Sequence, residues 1–408
     1  MSDASRSSAS TGAWAPLRHP EFAVLWCAGL ISNIGSWMHD LAAGWFMATL
    51  DPKPYMVALV QAAYTLPVCL LAIPAGTLAD RMDKRRLLLL VQWTMLVLAT
   101  LLGVLVLGGK AGVVTLLLVT LGMGSCVAVM SPTWQAIVPG LVPKQDLQQA
   151  VALHTVSMNI SRAIGPAIAG VIIAVCGIAW PFLLNGASFL AVIIALWWWR
   201  APRSAPHASQ REPYLAALFT GLKQVGTNAA LRNTLWRSVL FFVFGSCYWA
   251  LLPLVARDLL QGGPKLFGVL VGCIGVGAVS AALALPALRA RWGLDRLLDA
   301  STLATAAALA GYALLHVPAL GMLASFLAGT AWLASLSALI VAAQLAVPDA
   351  LRARGMALFT AVFYGCLALG SLLWGQVATH LNLSGALLIA ASGMLAVLPF
   401  ARRMQLRP

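Results

Sequence analysis

Twelve stretches dominated by Leu, Ala, Val and Ile recur along the chain, near 22–50, 55–79, 87–108, 111–134, 151–177, 180–199, 235–256, 266–288, 298–316, 319–345, 356–380 and 384–401. Most reach the ~20 residues that an α-helix needs to cross a hydrocarbon core of about 30 Å. In lipid every backbone N–H and C=O must be satisfied within the chain, so only helices and closed barrels can span it. Runs this long lack the ~10-residue alternation of barrel strands, which leaves helices. Of the 408 residues 9% are charged and 61% hydrophobic, whereas a soluble domain carries roughly a quarter charged residues. Charges this sparse cannot cover a water-facing surface, but they suffice to cap helices whose sides face lipid. The expected fold class is an all-α membrane protein with twelve transmembrane helices.

The net charge of +14 would suit a nucleic-acid partner if the basic residues formed one patch. They alternate by loop instead. Threading the spans places 20 of the 26 Lys and Arg on one side, with Lys53, Lys110, Arg257 and Lys265 on the other and Arg162 and Arg237 inside spans. This is the positive-inside pattern; it puts both termini in the cytoplasm, requires an even helix count and excludes nucleic-acid binding. The location expected is the cell inner (plasma) membrane. Residues 1–15 are rich in Ser and Ala, and the first apolar run is too long for a signal peptide. The seven cysteines lie in or at the ends of apolar runs without CxxC spacing and read as small hydrophobes. The six histidines are scattered without ligand spacing, so no metal is expected. No GxxxxGK[ST] loop occurs, so nucleotide hydrolysis is not expected, and no cofactor is expected. An enzyme is not expected.

The longest polar connection, about 200–232, separates six spans from six. Its division of the chain gives a tail at 1–20, a six-helix bundle at 21–200, a cytoplasmic loop at 201–232, a second six-helix bundle at 233–401 and a tail at 402–408. The halves also resemble each other. Sliding 142–170 onto 347–375, at a constant offset of 205, matches eight of 29 positions: Val142/Val347, Pro143/Pro348, Ala152/Ala357, Leu153/Leu358, Thr155/Thr360, Ala163/Ala368, Gly165/Gly370 and Gly170/Gly375. Repeated bundles with a site between them near mid-membrane are a known route to alternating access.

The segment Gly76-Thr-Leu-Ala-Asp80-Arg81-Met-Asp-Lys84-Arg85-Arg86 resembles the Gly-x-x-x-Asp-Arg-x-Gly-Arg-Arg loop of the major facilitator superfamily, with Asp83 in place of the later Gly. Gly165-Pro166-Ala-Ile-Ala-Gly170 is similar to the Gly-Pro-x-x-Gly-Gly element of exporters working as antiporters, although its upstream glycines are missing. Ser32-Asn-Ile-Gly35-Ser-Trp37 and Asn159-Ile-Ser-Arg162-Ala-Ile-Gly165-Pro166 bring the chain near the branch that holds the enterobactin exporter and the macrolide-efflux proteins. The resemblance covers essentially the whole chain and implies the major facilitator fold, two pseudo-symmetric six-helix bundles. It further implies export of a small organic molecule, a siderophore, drug or metabolite, coupled to protons. Helix 4 has no arginine, unlike many drug–proton antiporters, and the second-half copy of the loop, Arg289 to Arg296, is degenerate.

Several residues are candidates for mechanism. Gly76 permits close helix approach. Asp80 can accept bonds from a helix start in the other half, and Arg81 and Arg85 can pair across the seam, so that Gly76, Asp80, Arg81, Arg85 and Arg86 form a cytoplasmic gating loop; alternatively Lys84, Arg85 and Arg86 only anchor the loop at headgroup level. Asp40 is the one acid well inside a span, about 28 Å along helix 1 from Glu21. A carboxylate at that depth must be paired, wet or protonated. Asn33, Trp37, Asp40 and Gly44 follow i, i+4, i+7, i+11 and share a face expected to look onto a central cavity. Thr155, Asn159, Arg162 and Pro166 form a polar stripe on helix 5. Three readings of Arg162 stand: a pair with Asp40, a contact with an anionic substrate, or a staple to neighbouring helices. Tyr64, Gln61, His154, Trp249, Trp332, Gln344 and Tyr364 are polar or aromatic points that suit either cavity lining or packing. His39 is expected to pack, Arg237 to snorkel to the interface, and Gly268, Gly272, Gly275 and Gly277 to form a close-packing face. The expected partners are a small-molecule substrate, protons and the lipid bilayer, with the chain a monomer. Uptake by the same fold, or a non-transporting receptor or assembly factor, are the alternatives.

Overall fold

In a computed structural model, which describes residue 12 and residues 14–199, 228–348 and 352–406, every apolar stretch is helical. The first half holds α1 (Pro20–Leu50), α2 (Pro54–Arg81), α3 (Lys84–Leu107), α4 (Val113–Ile137), α5 (Leu147–Cys176) and α6 (Ala179–Trp198). The second begins with α7 (Ala229–Leu254), which opens inside the stretch expected to be loop; residues 201–227 of that loop lie outside the described residues. A single helical run, Pro264–Leu314, breaks at Gly293, whose φ of 72° suits glycine best. The parts on either side, 264–292 and 294–314, are α8 and α9. Then come α10 (Pro318–Ala346), α11 (Arg352–His380) and α12 (Leu383–Arg402).

The helix starts have local causes. Proline stands in the first turn of α1, α2, α8 and α10, where the missing N–H is one no helix could use. Asp83, Asn228 and Asn382 cap α3, α7 and α12 with side-chain oxygens. Asp83, the departure from the family loop, thus has a structural role: its Oδ1 accepts from the Arg86 amide at 2.8 Å. Among the described residues ten helices are long and apolar enough to cross a membrane, counting Pro264–Leu314 once. α1 misses that composition because Ser32, Asn33, Ser36, His39 and Asp40 interrupt it.

The internal repeat is visible as geometry. A Cβ built on Gly165 would lie 2.8 Å from the Trp37 Cβ of α1, and one built on Gly370 would lie 3.0 Å from the Val243 carbonyl of α7. Five residues on, a Cβ on Gly170 would stand 2.6 Å from the Pro264 carbonyl of α8, and one on Gly375 2.7 Å from the Ala58 Cβ of α2. So α5 meets α1 within its own half and α8 across the seam, while α11 meets α7 and α2 in the same way. Small residues allow these approaches where lipid supplies no hydrophobic drive for helices to associate. Gly268 and Gly275 serve the α8 side of that seam against Gly170 and Ala163, whereas Gly277 packs against Phe326 of α10.

One expectation is corrected at the end of the bundle that carries the basic loops. Arg237 does not snorkel. It is 2% exposed, and its guanidinium bridges Asp295 and Asp299 of α9. Arg402 of α12 joins Asp299 at 2.9 Å, and the Leu406 amide donates to Asp295 at 3.1 Å. Two carboxylates four residues apart on one helix face can satisfy a buried guanidinium that would otherwise have to reach water.

Candidate functional site

Between the halves lies a cavity of about 470 Å³. At the end opposite the basic loops it is closed by contacts between the halves. Trp45 stacks on Phe267 with centroids 5.9 Å apart, and a Cβ on Gly44 would lie 3.2 Å from Pro253. The Arg257 guanidinium donates to the Ala48 carbonyl, and the Tyr55 amide to the Thr379 hydroxyl at 3.1 Å. Toward the basic end the cavity extends to Phe22 of α1, Trp134 of α4 and His154 of α5.

The α1 face appears as its periodicity predicts, since Asn33, Trp37, Asp40 and Gly44 all line the cavity. Asp40 is exposed into that space and, among the described residues, has no ion-pair partner. Its carboxylate is therefore the wet kind, the one way an unpaired acid persists at this depth. Tyr64 of α2 also lines the cavity, near enough to Asp40 to feel its charge. His39, next in sequence, packs edge-on against Phe182 with centroids 4.9 Å apart and is 2% exposed. It packs as expected, yet both ring nitrogens are buried without a hydrogen-bond partner.

Arg162 lies beyond ion-pair distance of Asp40. Its guanidinium sits over the Trp37 ring, 5.3 Å from the centroid. Gly165, one turn further along α5, makes this possible: a Cβ there would come within 2.9 Å of the Ile34 carbonyl and force α1 away. Trp37 in turn touches Trp249 of α7 at 6.5 Å, so the cation–π pair of the first half abuts the aromatic wall of the second. Tyr248 and Tyr364 are close enough to Arg162 to interact electrostatically. Asp40 and Arg162 are the only Asp, Glu, Lys or Arg among the described residues lining the cavity.

Other candidates fall elsewhere. The Asn159 amide donates to the Thr155 carbonyl of its own helix at 2.9 Å and does not line the cavity; His154, Ser157, Met158 and Arg162 take the α5 positions that do. A side-chain amide that finds a carbonyl one turn back has no need of the lumen. Pro166 and Gly170 belong to the α5–α8 seam. Among the described residues a Cβ on Gly76 would meet nothing within 4 Å, so none of them makes Gly76 a close-approach point in this conformation. The side chains of Asp80 and Arg81 lie outside the described residues. Arg85 does not cross the seam here; it donates to the Leu196 and Trp197 carbonyls at 2.6 and 2.9 Å, capping α6 of its own half. Arg86 is exposed. Of the polar points within spans, Gln61, His154, Trp249, Trp332 and Tyr364 line the cavity. The aromatic contact between Trp37 and Trp249 was not visible in sequence, because no spacing rule pairs residues of different halves.

Solved structures share this architecture. A single-residue mutant of the nucleoside transporter NupG superimposes with a TM-score of 0.79 at 14% identity, over 95% of this chain and 99% of that one. A bacterial homologue of the iron transporter ferroportin gives 0.71 at 16% identity, over 94% and 98%. Two six-helix bundles around a shared, sparsely charged cavity are the major facilitator fold. Residues 11–408 match the family of transmembrane secretion effectors, and the chain belongs to that family. Among curated relatives, the staphyloferrin A transporter of Staphylococcus aureus is 30% identical over 62% of this chain and 64% of its own length, under two thirds of that relative. The enterobactin exporter EntS of Shigella boydii is 27% identical over 96% of this chain and 94% of its own.

Proposed function

We propose that the protein exports a small organic molecule, of siderophore, drug or related metabolite type, across the inner membrane by alternating access, with inward proton movement as the drive. In this reading the basic end is cytoplasmic, both termini are inside, the chain works as a monomer, and the conformation described above is inward-facing. Asp40 carries the proton, because it is the acid that water reaches in the cavity. Arg162 and the aromatic residues around it hold the cargo. Asp80 and Arg81 close the cytoplasmic face in the opposite state, when the basic end of α2 meets the second half. The names of the relatives support export and a siderophore-like cargo.

The observation that carries this reading is the pair of unmatched charges in the cavity. A structural arginine and aspartate this deep would neutralise each other. These two stay apart, each free for a mobile partner. The test is accumulation of candidate siderophores and antibiotics in a strain lacking the gene, followed by cargo-dependent proton flux in proteoliposomes. Cargo retained in the deletion strain, with flux restored by the purified protein, is the expected result. Cargo depleted in the deletion strain would mean uptake, and no flux across a broad panel would mean a receptor or assembly role.

A further inference from the structure

We propose that Arg162 is the anion-binding contact of the cavity, and that the cargo offers it a planar anionic group, carboxylate or phenolate, borne on an aromatic ring that packs against Trp249 and Tyr364. This deepens the export reading and rests on it. The argument begins with what a guanidinium needs. It has five N–H donors in a rigid fork, stays charged in any protein, and at mid-membrane must find an acid, carbonyls or water. Among the described residues no acid lies within ion-pair distance of Arg162, and its Nε is buried with no hydrogen-bond partner. The contact with Trp37 does not repair this. An aromatic face attracts the charge but accepts no conventional hydrogen bond, so the donors remain open.

A buried donor without an acceptor is costly, and a charged one more so. A bidentate anion is the ligand whose geometry matches the fork. The surroundings specify the rest of the cargo. Trp37 touches Trp249 at 6.5 Å, Trp249 meets Trp332 edge-on at 5.7 Å, and Phe363 meets Tyr364 at 4.9 Å. This continuous aromatic surface favours a flat ring over an aliphatic body. Asp40, on the same face of α1 as Trp37, repels a second negative charge at that end, so the anionic group is confined to the Arg162 side. A volume of about 470 Å³ admits a cargo larger than one ring, so the aromatic anion is a head group rather than the whole molecule. Negative charge leaving the cell also runs with an inside-negative membrane potential, which gives such cargo an electrical drive beside the proton.

The experiment uses the full-length protein in lipid nanodiscs and three small probes: salicylate, its neutral amide salicylamide, and the non-aromatic anion cyclohexanecarboxylate. Affinities are read by saturation-transfer NMR titration. Salicylate is expected to bind about tenfold or more tightly than either of the others, the discrimination a charged bidentate hydrogen bond supplies. Arg162→Gln should bring salicylate down to the level of salicylamide, while Arg162→Lys keeps part of the preference. Salicylamide binding the native protein as well as salicylate does would overturn the proposal, as would undetectable salicylate binding or full salicylate affinity in Arg162→Gln. Should Arg162→Gln fail to fold, the ranking of probes on the native protein still decides. The two readings fail separately. Export that continues at full rate in Arg162→Gln removes the anion contact alone, whereas an absence of cargo flux beside intact salicylate preference removes the export reading alone.

Discussion

Gly170 of α5 and Gly268 of α8 face each other across the seam between the halves, so close that a Cβ built on either would stand 3.1–3.2 Å from the other's Cα. The neighbouring carbonyls are tighter still: the Pro264 oxygen lies 2.6 Å from a Cβ on Gly170. Backbone rather than a flexible side chain blocks the space, so an added side chain can be accommodated only if the helices separate.

Gly170→Val is therefore expected to open the end of the bundle that is closed here. Overpacking of this kind costs about 1–3 kcal/mol, and each 1.4 kcal/mol shifts a two-state population roughly tenfold. The cost falls on the state in which α5 and α8 touch. In a cysteine-free background, a reporter at Val57→Cys, buried in this conformation, should react faster with an impermeant maleimide applied from outside once Gly170→Val is added. Unchanged labelling would mean that this contact does not hold the seal.

The same glycines show how far the sequence could be read. The match of Gly165 and Gly170 to Gly370 and Gly375 identified the repeat from identity alone, and each pair does the same structural work in its half. The Asn33–Trp37–Asp40–Gly44 face was legible because helical periodicity fixes which side chains share a side. Arg162 was placed on the right helix, but its partner was not legible, since stacking on Trp37 depends on how closely Gly165 lets α1 approach. Arg237 was misread for a related reason. Its partner Asp295 lies in the stretch read as a degenerate loop and Asp299 at the start of the next apolar run, and only the fold brings α9 beside α7. Asn159 shares a polar stripe with Arg162, yet its amide bonds back to Thr155, a local competition that periodicity does not register.

Asp40→Asn should separate cargo binding from its drive. The amide fills the same space and stays wet in the cavity, so cargo affinity is retained, while the side chain no longer takes up a proton. In proteoliposomes, transport driven by an imposed pH gradient is expected to fall to the rate seen without one. Asp40→Glu, which keeps an ionisable group on the same face, should keep a gradient-dependent component. A pH-gradient response in Asp40→Asn equal to that of the native protein would remove Asp40 from the proton path.

The network around Arg237 is expected to matter for stability more than for transport. The guanidinium is 2% exposed while Asp295 is 41% exposed, so only one side of the pair is fully desolvated. Removing one partner of a buried pair costs about 3–5 kcal/mol, and the exposure of Asp295 puts Arg237→Met toward the lower end of that range. The unfolding midpoint of the purified protein, followed by tryptophan fluorescence, should drop clearly. Adding Asp295→Asn and Asp299→Asn should restore part of the loss, because the stranded carboxylates are then neutral. A triple variant no better than the single would show that the guanidinium matters through packing rather than charge.

Gly76 gives the prediction of opposite sign. In this conformation a Cβ there meets nothing within 4 Å among the described residues, so Gly76→Leu is expected to cost this state little. If the basic end of α2 closes against the second half in the alternate state, the same leucine must be squeezed out of a helix contact there. Gly76→Leu should thus hold the protein in the conformation described here and slow the Val57→Cys reporter below its native labelling rate, the reverse of Gly170→Val. Combined, the two substitutions burden one state each, so the reporter should return toward native labelling while turnover stays low, because neither end can seal without strain. Additive slowing of the reporter in the double variant would mean that both glycines act on the same end, and the rocking of one half against the other would have to be abandoned.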